Sequence, residues 1–104
     1  MEHHVGMWFG WIEFDLLLGD VHSLKRKRSV VRPLMAEIRR RFEVSVAETG
    51  NLDVHRRAGV SAGVVAADAA HVIKVLDGLE RLVAERPDIE LLSARRRLHS
   101  SEDE

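Results

Sequence analysis

Trp8-Phe9-Gly10-Trp11-Ile12-Glu13-Phe14-Asp15-Leu16-Leu17-Leu18, then Gly19-Asp20, then Ser23-Leu24-Lys25-Arg26-Lys27-Arg28-Ser29-Val30-Val31: across these residues the hydrophobic period changes from two to about 3.6. In the first run Trp8, Gly10, Ile12, Phe14 and Leu16 fall on one wholly non-polar side. Phe9, Trp11, Glu13 and Asp15 fall on the other, aromatic at one end and acidic at the other. That alternation predicts a strand from Trp8 to Leu18, and Gly19-Asp20 breaks it. Ser23 is placed to cap a helix, because its hydroxyl accepts from an orphan amide of the first turn. Leu24, Val31, Leu34, Met35, Ile38 and Phe42 form one stripe at helical spacing, so the helix is expected from about Leu24 to Arg41. Pro33 sits inside it, nearly opposite the stripe, and removes the amide that would bond the Ser29 carbonyl; a bend or break near Ser29 is expected, with water on the freed carbonyl.

Downstream, Val44 to Thr49 is a short β-rich run and Gly50-Asn51-Leu52-Asp53 reads as a turn or loop. Ala58 to Ala66 is again strand-like, with Val60, Ala62 and Val64 on one side and Gly59, Ser61 and Gly63 on the other. Asp68 caps a second helix whose stripe is Val72, Val75, Leu76, Leu79, Leu82 and Val83, and Pro87 stands past its end as a stop. Ile89 to about Arg97 is the last strand. The order β-α-β-β-α-β predicts an α+β, ferredoxin-like fold: one four-stranded antiparallel sheet with two helices on one face and the other face open. A single domain over residues 1–104 is expected, with 1–5 and 100–104 as frayed tails.

At 104 residues, with 45% hydrophobic and 32% charged, the chain is long enough to bury a core without staples. The absence of cysteine excludes disulfides, thiolate metal sites and cysteine nucleophiles. No apolar run reaches the roughly 18 residues of a membrane span, and Met1-Glu2-His3-His4 lacks the basic leader and long apolar stretch of a signal peptide. A cytoplasmic protein without membrane contact is expected. The formal net charge of -1 hides a division: residues 22–42 hold eight Lys/Arg against Glu37 alone, a net +7, and the remainder of the chain is at -8.

The stretch His22-Ser23-Leu24-Lys25-Arg26-Lys27-Arg28-Ser29-Val30-Val31 resembles the YlxP-like family of small bacterial proteins, in which a Ser-Leu-Lys-x-Lys-Arg segment opens a helix after a strand and short turn. Phe42-Glu43-Val44-Ser45-Val46-Ala47-Glu48 is similar to that family's second strand. Asp53 through Arg57 with Ala58-Gly59-Val60 is similar to its loop into the third strand, and Asp68-x-x-His71 to the start of its second helix. The resemblance runs from about Gly6 to Leu98. Arg26 departs from it where the family often has Glu, His55 where it often has an aromatic residue, and Pro33 is unusual. The resemblance implies a ferredoxin-like fold and a role in translation, the family's genes often standing beside those for translation initiation and ribosome maturation. It supplies no catalytic residues.

Two surfaces emerge as candidates. Lys25, Arg28, Arg32 and Arg39 recur at spacings of three, four and seven and so line one flank of the first helix, a rail able to meet consecutive phosphates. The competing reading is a solvated face whose bases meet acids elsewhere in the fold. Lys25 and Arg26 also stand at the helix start, where the macrodipole disfavours cations. On the open sheet face, Phe9, Trp11, Ser61 and Val65 are expected to form an oligomer interface, since large aromatics beside a small-residue strand suit packing of a second sheet. Base stacking there is the lesser reading, because the third strand carries no aromatic.

The six histidines show no metal-site spacing; His3-His4 is read as terminal, and His71 as partly buried and hydrogen-bonded. His55 with Arg56 and Arg57 is a minor anion-contact candidate in a loop. Glu13 and Asp15 share a face and read as exposed strand residues rather than a catalytic pair. No glycine-rich phosphate loop lies between a strand and a helix. The expectation is therefore a non-enzymatic protein with no cofactor and no metal, contacting ribosomal RNA or a ribosome-bound partner through the first helix. The alternative is a homo-oligomeric structural or regulatory module with no nucleic-acid role.

Overall fold

The computed structural model describes residues 6–103. The elements are β1 (Trp8–Leu17), α1 (Leu24–Arg41), β2 (Ser45–Gly50), β3 (Arg57–Ala66), α2 (Ala69–Ala84) and β4 (Glu90–Ser100). They form one antiparallel sheet in the order β2-β3-β1-β4, with both helices on the same face: the ferredoxin-like α+β arrangement. β1 is central and exchanges its ladder with β3 (Ile12 opposite Ala62) and with β4 (Ile12 opposite Arg96). The residues 1–5 expected to fray, and Glu104, lie outside the described residues.

The alternation of β1 decides which face is covered. Ile12, Phe14 and Leu16 are buried against the helices, together with Val60, Ala62 and Val64 of β3. α1 contributes Val31, Leu34 and Ile38, and α2 contributes Val72, Leu76, Leu79, Leu82 and Val83. Removing each of these side chains other than Ala62 from water contributes about 1.5–3 kcal/mol. α1 packs over β2, and α2 over β1, β3 and β4. Gly10 sits under α2, where a Cβ would stand 2.7 Å from Val72 Cγ1 and 3.0 Å from the Arg97 carbonyl oxygen. Gly78 of α2 likewise accommodates the Phe42 ring, 2.9 Å from where its Cβ would be.

Both caps form as the sequence implies. Ser23 Oγ accepts from Arg26 N at 3.0 Å, and Asp68 Oδ1 accepts from His71 N at 2.7 Å. Several local expectations need correction. α1 continues as one helix through Pro33, which is exposed as Ser29 is, so no break occurs near Ser29; buried residues before and after the proline, Lys27 and Val31 on one side and Leu34 and Ile38 on the other, hold both halves down. Leu24 is 36% exposed and is not part of the buried stripe; its place is taken by Lys27. Phe42 leaves the helix with φ -136 and packs from the cap position.

β4 continues past Arg97 to Ser100, because the β1 ladder continues through Phe9 opposite His99. Hydrogen bonds continue through residues 100–103. Ser101 N donates to the Met7 carbonyl at 2.8 Å, Ser101 Oγ accepts from Met7 N at 3.0 Å, and Asp103 N donates to the Ser100 carbonyl at 3.0 Å. Among the described residues no helix is long and apolar enough to cross a membrane.

Candidate nucleic-acid interface

The cationic segment divides once it is wound into α1. Positions 27, 31, 34 and 38 face the sheet, so Lys27 is carried inward and is 3% exposed. Its ammonium donates to the carbonyl oxygens of Asn51 at 2.6 Å and Val54 at 2.9 Å and stands 2.9 Å from Glu48 Oε2. Two N–H donors thus meet carbonyl acceptors and Glu48 supplies the opposite charge as an ion pair, its Oε2 being buried without a hydrogen bond of its own, which together offset the burial of the ammonium. Lys27 is a staple for the β2–β3 loop, where Asn51 adopts φ 57, and contributes nothing to the outer charge.

Arg41 and Glu37 form an i,i+4 pair at 3.3 Å, and Glu37 also takes Arg86 Nη1 at 2.6 Å. The Arg86 hydrogen bond holds the Glu37 carboxyl below its usual range, against the opposing effect of burial, and the Arg41 bond adds to it. Glu37, the segment's one acid, is thereby engaged by arginines at the end of α1 and is turned away from the rail.

Lys25, Arg28, Arg32 and Arg39 are all exposed on one flank of α1. Arg39 Nη2 donates to the Val46 carbonyl at 3.3 Å, which places this flank toward the sheet edge formed by β2 rather than toward α2. Lys25, Arg28 and Arg32 have no carboxylate partner among the described residues; nor do Arg26 and Arg40, which are also exposed. No acid stands in the first turn of α1. Like charges three and four residues apart on a helix repel one another, and cations in a first turn oppose the macrodipole, so this flank keeps a positive potential that only solvent ions or a ligand relieve.

Elsewhere Arg57, Arg86, Arg95 and Arg96 are paired with acids, whereas Arg56, Lys74, Arg81 and Arg97 have no carboxylate partner among the described residues. Arg57 pairs with Asp15, Arg95 with Glu13 at 3.3 Å, and Arg96 with Asp77 at 2.8 Å and Glu80 at 2.9 Å. Glu13 and Asp15 are therefore arginine-tied side chains on the open face. Arg56 Nε donates to the Gly19 carbonyl at 2.8 Å and has no carboxylate partner among the described residues, so of the His55, Arg56 and Arg57 group only Arg57 is taken up by an acid.

The open face carries the second candidate surface. Phe9 and Trp11 stand half-exposed beside Val65, which is 65% exposed, and Ser61 lies opposite Glu13. Sequence reasoning ended the last strand too early and missed His99. Its ring stacks on Phe9 and on Trp11, with centroids 5.3 Å apart in each case. The signal was present: the alternation of Ala94, Arg96 and Leu98 with Arg95, Arg97 and His99 carries on past Arg97. His71 is exposed rather than partly buried, because α2 turns it outward while its backbone amide meets the Asp68 cap. Among the described residues no three of His, Asp or Glu converge as metal ligands. His3 and His4 lie outside the described residues.

The family described as "Protein of unknown function (DUF503)" matches residues 9–96, which span β1 through most of β4. The "Uncharacterized protein YlxP" of Bacillus subtilis (strain 168) is 27% identical over 81 residues, covering 78% of this chain and 88% of its own length.

Proposed function

Given that this chain belongs to the DUF503 family, we propose that it is a non-enzymatic, translation-associated accessory protein of the cytoplasm that contacts ribosomal RNA through the outer flank of α1. The observation that carries this reading is the absence of any carboxylate partner, among the described residues, for Lys25, Arg28 and Arg32. A protein whose net charge is only -1 has acids enough to neutralise that flank, yet its ion pairs are made elsewhere. Evenly spaced cations facing solvent suit a phosphodiester backbone, whose condensed counterions are released on contact. They supply no base-specific readout, so the contact positions rather than discriminates. The translation setting rests on the resemblance to YlxP-like proteins and the gene neighbourhood it implies.

The test is binding to small ribosomal subunits and to protein-free ribosomal RNA over a range of salt. The chain should bind both, and Lys25→Glu/Arg28→Glu/Arg32→Glu should lose at least tenfold in affinity. Replacing the same three by Gln should lower the slope of log K against log salt by about 0.7–0.9 per phosphate contact removed. Binding that is unchanged by the Glu substitutions removes the proposal. Binding to subunits alone, insensitive to ribonuclease, moves the contact to a ribosome-bound protein.

A further inference from the structure

The open face is built as two unequal halves. On the β1/β4 half stand Phe9, Trp11, His99, Arg95 and Arg97. On the β2/β3 half stand the small Ser45, Ala47, Gly59, Ser61 and Gly63, with Thr49 hydrogen-bonded to Ser61 and the larger Val65 and Arg57 at the two ends of β3. The first half is a ridge. The second is a trough, with a hollow of about 360 Å³ beside Trp11 lined by Ser45, Ala47, Ser61 and Gly63. A second hollow of about 450 Å³ reaches Gly59 and Asp15.

We infer that this face receives a second copy of the same chain. In-register rows cross the sheet: Arg97, Trp11, Gly63 and Ser45 form one, and Arg95, Glu13, Ser61 and Ala47 the next. A two-fold axis along the strands, between β1 and β3, lays β1 of one copy over β3 of the other and β4 over β2. Trp11 then stands over Gly63 of the second copy, Phe9 over Val65, Glu13 over Ser61, Asp15 over Gly59, and Arg97 over Ser45. At each of these positions but Phe9 over Val65, a large side chain meets a residue no larger than serine.

Charge permits the pairing. Glu13 and Asp15 are each tied to an arginine of their own chain, and the two Arg97 side chains fall on opposite flanks of the pair. Strands about 4.8 Å apart and ten residues long offer roughly 600 Å² per copy, so a pair buries about 1,200 Å², the lower bound of stable interfaces. Nucleobases fit less well: Phe9, Trp11 and His99 cluster on the β1/β4 half alone, and neither β2 nor β3 carries an aromatic to continue a stacking platform.

The experiment is sedimentation equilibrium of the full chain from 1 to 100 µM, with circular dichroism as the check on folding. The wild type should be dimeric. Trp11→Glu and Gly63→Arg should each weaken the dimer at least tenfold while keeping the fold, since neither position belongs to the buried core and a Cβ at Gly63 meets nothing closer than the Gly10 carbonyl at 3.8 Å. Val65→Glu, at an exposed position, should act likewise. Mixing the Trp11→Glu and Gly63→Arg chains should restore a dimer, because the introduced charges are opposite and would face each other. Lys25→Glu/Arg28→Glu/Arg32→Glu should dimerise as the wild type does, which separates this surface from the RNA reading. A wild type that is monomeric at 100 µM, or dimers that survive Trp11→Glu and Gly63→Arg, overturn the inference. So does a monomer whose tryptophan fluorescence is quenched by single-stranded oligouridine and not by mononucleotide phosphate alone, which would give the face to bases.

Discussion

Lys27 shows how far one residue's role depends on where the helix turns it. Its ammonium is enclosed by two loop carbonyls and Glu48, so removing it leaves the carbonyls without their donor and the half-buried carboxylate without its counter-charge. Lys27→Met keeps the stem and loses the charge. It should cost about 3–5 kcal/mol, read from urea unfolding, and should raise amide exchange in residues 51–56 before the rest of the molecule. Glu37 supplies the acid-sensitive counterpart. Its carboxyl is held below the usual range chiefly by the Arg86 hydrogen bond, with Arg41 assisting against burial. A depressed carboxyl stabilises the fold fully above its unfolded-state value, and that contribution is lost as pH falls through the lower, folded-state value. Glu37→Gln should therefore be less stable than wild type at neutral pH, with the difference shrinking as pH drops below about 4. A difference independent of pH would mean that the pairing with Arg86 does not govern the titration. Lys27 shares its spacing with Val31, Leu34 and Ile38, so the net charge of +7 over residues 22–42 includes one cation that the fold buries.

At the scale of elements, the contact between α2 and the sheet turns on Gly10. A methyl there would meet Val72 Cγ1 and the β4 backbone, neither of which retreats without moving α2 or the strand. Gly10→Ala should destabilise by about 1–3 kcal/mol, measured by thermal or urea unfolding, although alanine is the better residue for most other backbone positions. Stability equal to wild type would show that α2 rides higher over β1 than the structure has it. Sequence periodicity located α1, α2 and the first three strands to within a residue or so, since burial on one side of an element leaves a period that can be counted. It failed at β4, whose outer face is arginine and histidine. An edge strand buried on only one side has a weak apolar signal, and Leu98 alone marked its continuation. It also overestimated Pro33: one missing hydrogen bond on the solvent side does not break a helix whose opposite side is fastened at Lys27, Val31, Leu34 and Ile38.

For the whole molecule, the covered side of the sheet carries the helices and the open side carries the aromatic ridge, so the two proposed surfaces point in different directions. Packing two copies through their open faces would leave both α1 flanks outermost and facing apart. Such a pair would hold two separate polyanion segments instead of one continuous stretch, and neither contact would obstruct the other. The ion pairs that tie down Arg57, Arg86, Arg95 and Arg96 leave the α1 flank as the row of evenly spaced free cations, while Arg56, Lys74, Arg81 and Arg97 stand without an acid partner among the described residues on other elements.

The fold class, both helix caps and the outward flank of Lys25, Arg28, Arg32 and Arg39 were determined by local order along the chain. Each depends on spacing within one element, and spacing is a property of sequence. Which cations stay free, that Lys27 closes a loop 24 residues away, and that His99 joins Phe9 and Trp11 were decided only by tertiary structure. Those outcomes depend on which strand lies beside which, and a carboxylate or a ring from a distant element acts through distances of a few ångströms that no linear pattern records.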